Sequence, residues 1–600
     1  MDQRNLVIAV VLSILIMVGY EHFFAPPKAP LPQTGTEQAA GQSPGAEGTS
    51  GNLTAAPPSL DRPSLDAPRP GFDIPGAGAI PAAPSRSALL EAVPRVRIDT
   101  PRLHGSISLR GARIDDLTLA DYHEEVSKLS PEIVLLKPAA GKDGYYSEFG
   151  WVPAAGSVAV AVPGPDTEWI ADREVLTPDY PVTLRWENGA GLRFERVYAI
   201  DQDYMFTVTE RVANTASEAV ALHSYGLVQR RGTPHVSGFY IMHEGMLGYL
   251  GSSLEETTYA KLQEKVLRED GREVTGLQRF PTTGGWLGIT DKYWMVVLIP
   301  DQKMAVQARY RHWKSEGGDR YQADYLGPRS EIAPGTTYEA SSRLFAGAKE
   351  VLLIDAYEDH HGIPEFWRAI DFGIFHFLTR PIFYALNYIY VLVGNFGVSI
   401  LILTVIIKLL FFPLANKSYV AMSKMKKLQP ELVKLREQFG EDRARMNQEM
   451  MALYKREKAN PVSGCLPMLI QIPVFFSLYK VLFVTIEMRQ APFYGWIKDL
   501  SQPDPTTIFN LFGLIPWSPP NLLAHLGLWP IIMGITMFFQ QKLNPQPADP
   551  VQAKVFLFMP LIFTALLASF PAGLVIYWAW NNVLSIVQQW TIMRRMGVKA

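Results

Sequence analysis

The chain has 600 residues, more than a single domain of about 100–200 holds. Its formal net charge of −2 supplies no global field that would draw it to DNA or RNA. One cysteine, Cys465, excludes an intramolecular disulfide framework, and the 48% of hydrophobic residues is ordinary in amount but uneven in placement, with the long apolar runs in the first 24 residues and after residue 380.

Leu6 to Phe24 is almost continuously apolar, broken only by Glu21 and His22. About 20 such residues span a bilayer core. The rival reading is a cleaved signal peptide, which needs small residues after the run. Here the run ends Phe23-Phe24-Ala25-Pro26-Pro27, so residues 1–24 are expected to be an uncleaved anchor. Residues 25–95 hold 14 prolines and 8 glycines. That composition buries too little apolar surface to offset its ordering entropy, so it reads as a disordered tether.

From 96 to 350 the pattern becomes short and alternating. Val182, Leu184 and Trp186 precede a turn at Asn188-Gly189-Ala190-Gly191, and Leu192 and Phe194 follow it. Tyr204, Phe206 and Val208 alternate again, and the run from Lys292 to Ile299 stops at Pro300. Period-two runs between turn residues read as strands, and many of them suggest a large β-sandwich. His104, His123, His223, His235 and His243 lack metal-ligand spacing, so no metal site is expected.

Residues 364–380 carry Trp367, Ile370, Ile374 and Phe377 at helical spacing, with Arg368, Asp371 and Arg380 elsewhere on the wheel. They read as an amphipathic helix lying in the membrane interface, with Pro381 breaking it from the next span. The alternative is a first turn of that span. Five apolar stretches follow at roughly 383–412, 462–486, 526–541, 555–570 and 572–591. Two are short, so local bilayer thinning or burial against neighbours is expected there. The region 381–600 is therefore expected to be a five-span core. The whole fold is expected to be a polytopic α-helical membrane bundle, five helices plus the anchor, with an all-β sandwich outside.

The loop 414–460 has 11 Lys or Arg, whereas 487–525 has only Arg489 and Lys498. The positive-inside rule places the first in the cytoplasm and the second outside. Counting spans then puts both termini inside and the sandwich outside. Within 414–460, Met422, Met425, Leu428, Leu432, Leu435 and Phe439 space as 3, 3, 4, 3, 4. Gly440 breaks the helix, Asp442 is a candidate N-cap, and Met446, Met450 and Leu453 continue the period. This is an antiparallel helical hairpin, with Pro430 marking a kink or a restart. Its basic residues suit anionic lipid or ribosomal RNA, or serve only to set topology.

Lys408 reads as the one formally charged residue deep in the clear spans after the anchor, very roughly 8 Å inside the cytoplasmic boundary at 1.5 Å per residue. It either snorkels to the head groups or lines a wet cavity. Thr404 lies one turn away on the same face. In the last span Tyr577, Asn581, Ser585, Gln588 and Gln589 form one polar stripe, and Gln471 lies at similar depth in another span. Such groups face protein or water, since facing lipid is costly. These eight residues are the candidate substrate-contacting groove; the alternative is hydrogen bonding in a dry bundle. Lys408 has no evident counter-charge and there is no acidic relay or Walker motif, so an ion-coupled pump and a nucleotidase are disfavoured. No catalytic residues or cofactors are expected. Two other classes remain as alternatives: a small-solute transporter, and a glycan-binding periplasmic protein with a membrane anchor.

Four segments carry a family resemblance: GVSILILTVIIKLLFFPLANKSYVAMSKMKKLQPEL, QEMMALYKREKANPVSGCLPMLIQIPVFFSLYKVLF, EMRQAPFYGWIKDLS and FMPLIFTALLASFPAGLVIYWAWNNVLSIVQQ. In that order they resemble the YidC/Oxa/Alb family of membrane-protein insertases in its Gram-negative form. The resemblance covers the chain from about 364 to the end, and the anchor, tether and outer β-domain fit the same architecture. It implies a hydrophilic groove open to cytoplasm and lipid but closed outside, with nascent membrane proteins as substrates. It also implies the Sec translocon, membrane lipids, and ribosome or targeting factors as partners. The family's groove carries Arg where this chain has Lys408, which keeps the charge but loses the planar five-donor fork. Relatives attach to ribosomes through a long basic tail, a feature not expected here. The outer domain resembles a sugar-mutarotase-like sandwich, a likeness of fold that by itself implies no sugar chemistry.

Overall fold

Along Leu192–Ile200 every second side chain is buried, and Met205–Asn214 repeats the alternation beside it. A pleated strand with one face on a core requires that period. The computed structural model describes residues 84–597, apart from 157–159, 237–241, 270–271, 316, 440–441, 458–465, 516, 518–525 and 545–549. The anchor over 1–24, all but the end of the tether over 25–95, and Cys465 lie outside the described residues.

The strands run from Arg95 to Ala348 and form two large sheets of eleven and nine strands. In the larger sheet Val220–Arg231 lies between Tyr145–Pro153 and Gly318–Leu326. In the smaller one Thr337–Ala348 lies between Met205–Asn214 and Trp294–Pro300. Phe149, Trp151, Phe194, Phe206, Trp286 and Phe345 are fully buried in the core. The turn at Asn188 forms as its residue types require. Asn188 Oδ1 accepts from the N–H groups of Ala190 and Leu192, and Gly189 and Gly191 take positive φ. One ion pair is enclosed with the apolar residues: Arg196 lies 2.8 Å from Glu210 on the neighbouring strand and also donates to the carbonyls of Phe149 in the other sheet and of Ala112 in a turn of that sheet's chain. The histidines make ordinary contacts, such as His243 Nε2 with the Met246 carbonyl at 2.7 Å. Among the described residues no cluster could hold a metal.

The last strand passes into helix α1 (Val351–His361), which buries Val351, Ile354 and Tyr357 and ends on left-handed Gly362. The expected amphipathic helix over 364–380 is absent. Phe366–Ala369 is a single 3₁₀ turn, Gly373 adopts φ 73°, and helix α2 begins only at His376 and runs to Val393. Between them Asp371 Oδ1 accepts from the Gly373 N–H at 3.0 Å, closing a tight turn. Pro381, expected as a break, sits inside α2, where it removes one bond without ending the helix.

The stretch 383–412, read as one span, is two helices. Gly394 closes α2 in the left-handed conformation, and the Asn395 side chain caps α3 (Phe396–Leu410) through the Val398 N–H. A bend of 70° then leads from α3 into α4 (Phe412–Phe439). Helix α4 is continuous through Pro430 and pairs with α5 (Arg443–Arg456), whose N-cap is Asp442. Leu428, Leu453 and Tyr454 are buried at their seam, with Met425, Leu432, Leu435 and Met450 against them. Helices α6 (Leu466–Val484), α7 (Leu528–Leu543), α8 (Pro550–Leu567) and α9 (Ala572–Arg595) follow. The described elements belong to one compact unit, Pro63–Gln546 with Phe558–Ala600, while α8 as far as Leu557 belongs to another. Among the described residues no single helix is long and apolar enough to cross a membrane; α3 and α4 reach that composition only as a bent pair.

Candidate functional site

The 70° bend after α3 carries the start of α4 under α6 and α9, and a hollow opens among these four helices. It encloses about 560 Å³ counting its open mouth. Five of the eight predicted residues line it: Thr404 and Lys408 from α3, Gln471 from α6, and Tyr577 and Asn581 from α9. Apolar walls come from Ile407, Phe411, Leu414, Ala415 and Val474.

Lys408 sits in the last turn of α3, and its ammonium donates to Ser585 Oγ on α9 at 2.8 Å. Ser585 Oγ in turn donates to the Asn581 carbonyl at 2.8 Å. Tyr419 shares a side-chain hydrogen bond with Ser585, and Gln471 shares one with Tyr577. Thr404 is buried and its hydroxyl donates to the Ile400 carbonyl of its own helix at 2.6 Å. It shapes the wall, while its proton is already committed. No carboxylate among the described residues is in ion-pair contact with Lys408, so its charge is offset by one hydroxyl only.

The polar stripe of the last helix divides. Gln589 turns away from the hollow and donates to the Leu543 carbonyl at 3.1 Å and to Asn544 Oδ1 at 3.2 Å, closing the end of α7. Gln588 does not line the hollow. Asn582, not singled out from the sequence, ties α9 to Thr536 of α7, and Trp580 ties it to the Leu401 carbonyl of α3. Asn581 Oδ1 and Gln588 Nε2 are buried with no protein partner. Buried polar atoms of this kind are costly unless water or a ligand's polar groups reach them.

Two further residues are not legible from the sequence. Tyr419 belongs to the stretch assigned to the cytoplasmic hairpin, and only the bend at Phe411 brings it to Lys408's partner. Lys480 is a second lysine within an apolar helix, contrary to the expectation that Lys408 stands alone there. It lies at the far end of α6, with Nζ 2.9 Å from Asp371 Oδ1, and it also donates to the Asp371 carbonyl at 3.1 Å.

A helical body holding a near-uncompensated lysine, joined to a β-sandwich of two sheets, defines a class. Residues 388–599 match the family described as 60Kd inner membrane protein, and residues 95–385 match the YidC periplasmic domain. The chain is thus an inner-membrane protein with a periplasmic sandwich. The membrane protein insertase YidC of Methylobacterium sp. (strain 4-46) is 52% identical, over all of this chain and 96% of the relative. That of Granulibacter bethesdensis is 51% identical over 99% of this chain and 98% of the relative. A crystal structure described as an active YidC insertase with its first transmembrane domain resolved is 17% identical, covers 82% of this chain and 93% of that one, and has a TM-score of 0.33. On the sequence matches, the chain belongs to the YidC family of membrane-protein insertases.

Proposed function

We propose that this insertase receives the polar flank of a nascent membrane segment in the hollow around Lys408 and releases the apolar segment into lipid beside it. The observation that carries this reading is the Lys408–Ser585 contact: a cation held by one hydroxyl in a mostly apolar hollow, with no carboxylate partner among the described residues. Each charge of a translocating flank costs about 3 kcal/mol or more near the bilayer centre. A fixed positive charge and polar groups lower that barrier for acidic flanks, and burial of the apolar segment in lipid drives transfer. The groove comprises Lys408, Thr404, Gln471, Tyr577, Asn581 and Ser585, joined by Tyr419; Gln589 ties α9 to the end of α7, and Gln588 keeps a buried amide nitrogen without a protein partner. Nothing in this scheme needs a covalent step or a cofactor.

In the same reading α3, α6, α7, α8 and α9 are the five spans, with the sandwich outside and the basic α4–α5 hairpin in the cytoplasm. Charge asymmetry supports this orientation. Helices α3 and α7 are 15 and 16 residues long, about 22–24 Å, so the bilayer thins beside them. The interfacial role passes to α2, whose Phe377, Tyr384, Tyr388, Val391 and Leu392 are exposed. The hairpin is the surface for ribosome or targeting factors, and the Sec translocon is a further partner.

The test is insertion in vitro of two model substrates, one with an acidic and one with a neutral translocated tail. Lys408→Arg keeps most activity, Lys408→Ala fails mainly on the acidic tail, and Lys408→Glu is worse. Equal loss on both tails removes charge attraction from the mechanism.

A further inference from the structure

No Asp, Glu, Lys or Arg occurs from Pro505 to Gln541. The second half of this stretch is α7; the first half is not a span. It opens with an irregular turn, Ile508–Gly513, in which Leu511 and Phe512 adopt φ of 50° and 58°. Left-handed backbone is costly for residues of this bulk. The base of the turn is polar and buried. Asp504, 1% exposed, accepts from Trp496 Nε1, from the Thr506 N–H and hydroxyl, and from the Trp529 N–H at the start of α7. The strained turn points apolar side chains away from the protein: Leu511 and Phe512 are half exposed, Leu514 is 83% exposed, and Ile515 and Trp517 are open beside them. In water this arrangement spends backbone strain to expose grease, which is unfavourable twice over.

The turn lies at the sandwich end of the helices. The Ala572 and Gly573 N–H groups at the start of α9 donate to the Gln502 and Leu500 carbonyls. From the same loop Arg489 reaches the His123 carbonyl of the sandwich. Tyr494 and Trp496 stand exposed nearby, in the manner of an interfacial aromatic belt.

We infer that the turn carrying Leu511, Phe512, Leu514 and Ile515 is a lipid-inserted wedge, its side chains seated among acyl chains of the leaflet on the sandwich side. The absence of charge over the whole stretch and its continuity with the exposed apolar face of α7 at Ile535 and Phe539 select lipid as the occupant. The inference rests on the membrane topology proposed above.

The test uses the full chain in phospholipid vesicles, with Cys465→Ser as background and single cysteines introduced by Leu514→Cys, Phe539→Cys and Ser127→Cys. Each is labelled with an environment-sensitive fluorophore and quenched either by nitroxide on the lipid acyl chain or by aqueous iodide. A blue-shifted Leu514 probe, quenched several-fold more by acyl nitroxide than the Ser127 probe and little by iodide, supports the wedge. A Leu514 probe quenched by iodide as strongly as the Ser127 probe, with Phe539 still quenched by acyl nitroxide, overturns the wedge and leaves the topology standing. Protection of Leu514 from both quenchers also overturns it, because protein then covers the turn. A Phe539 probe open to iodide and untouched by nitroxide sinks the topology and the wedge together.

Discussion

Lys480 on α6 holds the Asp371 carboxylate at 2.9 Å and the carbonyl of the same residue at 3.1 Å. Through this double contact α6, one turn before its end, grips the link between sandwich and α2. Side-chain exposures of 16% and 30% make the pair partly buried, so its worth is about 1–2 kcal/mol rather than that of a fully enclosed pair. Lys480→Ala should lower the unfolding temperature of the detergent-solubilised protein. Asp371→Asn should do so less, since the carbonyl contact survives. A double-mutant cycle reading no coupling between the two positions would deny the pair any role.

Glu487 makes stability depend on pH. The residue is half-buried, with Oε2 enclosed and without a protein partner, and its carboxylate accepts the Val351 N–H at the start of α1 at 2.8 Å. Burial, with repulsion from Glu350 and Asp355, pushes its pKa from 4.5 up to about 7. The folded chain therefore binds a proton that the unfolded chain releases. Stability falls as pH rises from about 4.5 to about 7 and stays low above, by an amount on the order of 3 kcal/mol. Glu487→Gln keeps the acceptor and removes the titration. Its unfolding temperature should exceed the parent's at pH 8 and match it near pH 4.5, and a constant difference across that range would refute the assignment.

In the sandwich, Glu210→Ala leaves the Arg196 guanidinium buried without its carboxylate and should cost about 3–5 kcal/mol. Replacing both residues with apolar ones, Arg196→Met with Glu210→Leu, should cost less than the single change. Chemical denaturation monitored by tryptophan fluorescence distinguishes them; a double variant less stable than Glu210→Ala would show that the carbonyl contacts to Ala112 and Phe149 dominate instead.

Leu428 is buried at the seam of the α4–α5 hairpin, and Val433 on the same helix is exposed. Leu428→Asp should open the hairpin, so that trypsin cuts the loosened helix at the already exposed Lys455 and Arg456 sooner, and should reduce cross-linking to nascent chains. Leu435→Asp, at the edge of the seam, should act in the same direction more weakly. Val433→Asp should change neither. If Leu428→Asp frees the hairpin and cross-linking persists unchanged, the hairpin is a topology signal only.

The sequence by itself determined the elements whose cause is local. The alternation along Leu192–Ile200, the Asn188 turn, the Asp442 cap and the seam spacing of α4 and α5 depend on side-chain period and turn chemistry, which neighbours in the chain supply. The family was legible for the same reason, because long ordered motifs need no coordinates. The break at Gly394-Asn395 was also written there, as a left-handed stop followed by a capping side chain, and a run of apolar residues concealed it. Other features were decided only by the tertiary structure. The wheel over 364–380 has helical spacing, yet Asp371 is held by Lys480, more than a hundred positions later in the chain, and Gly373 turns instead. The stripe on α9 is one face by spacing, yet the helix packs against different neighbours along its length, so Ser585 meets Lys408 and Asn581 lines the same hollow while Gln589 closes α7. Tyr419 reaches the hollow because α4 bends 70° after α3. Spacing along a helix says which side chains share a face; which neighbour that face meets is set by long-range packing, where contacts far apart in sequence decide the lowest free energy.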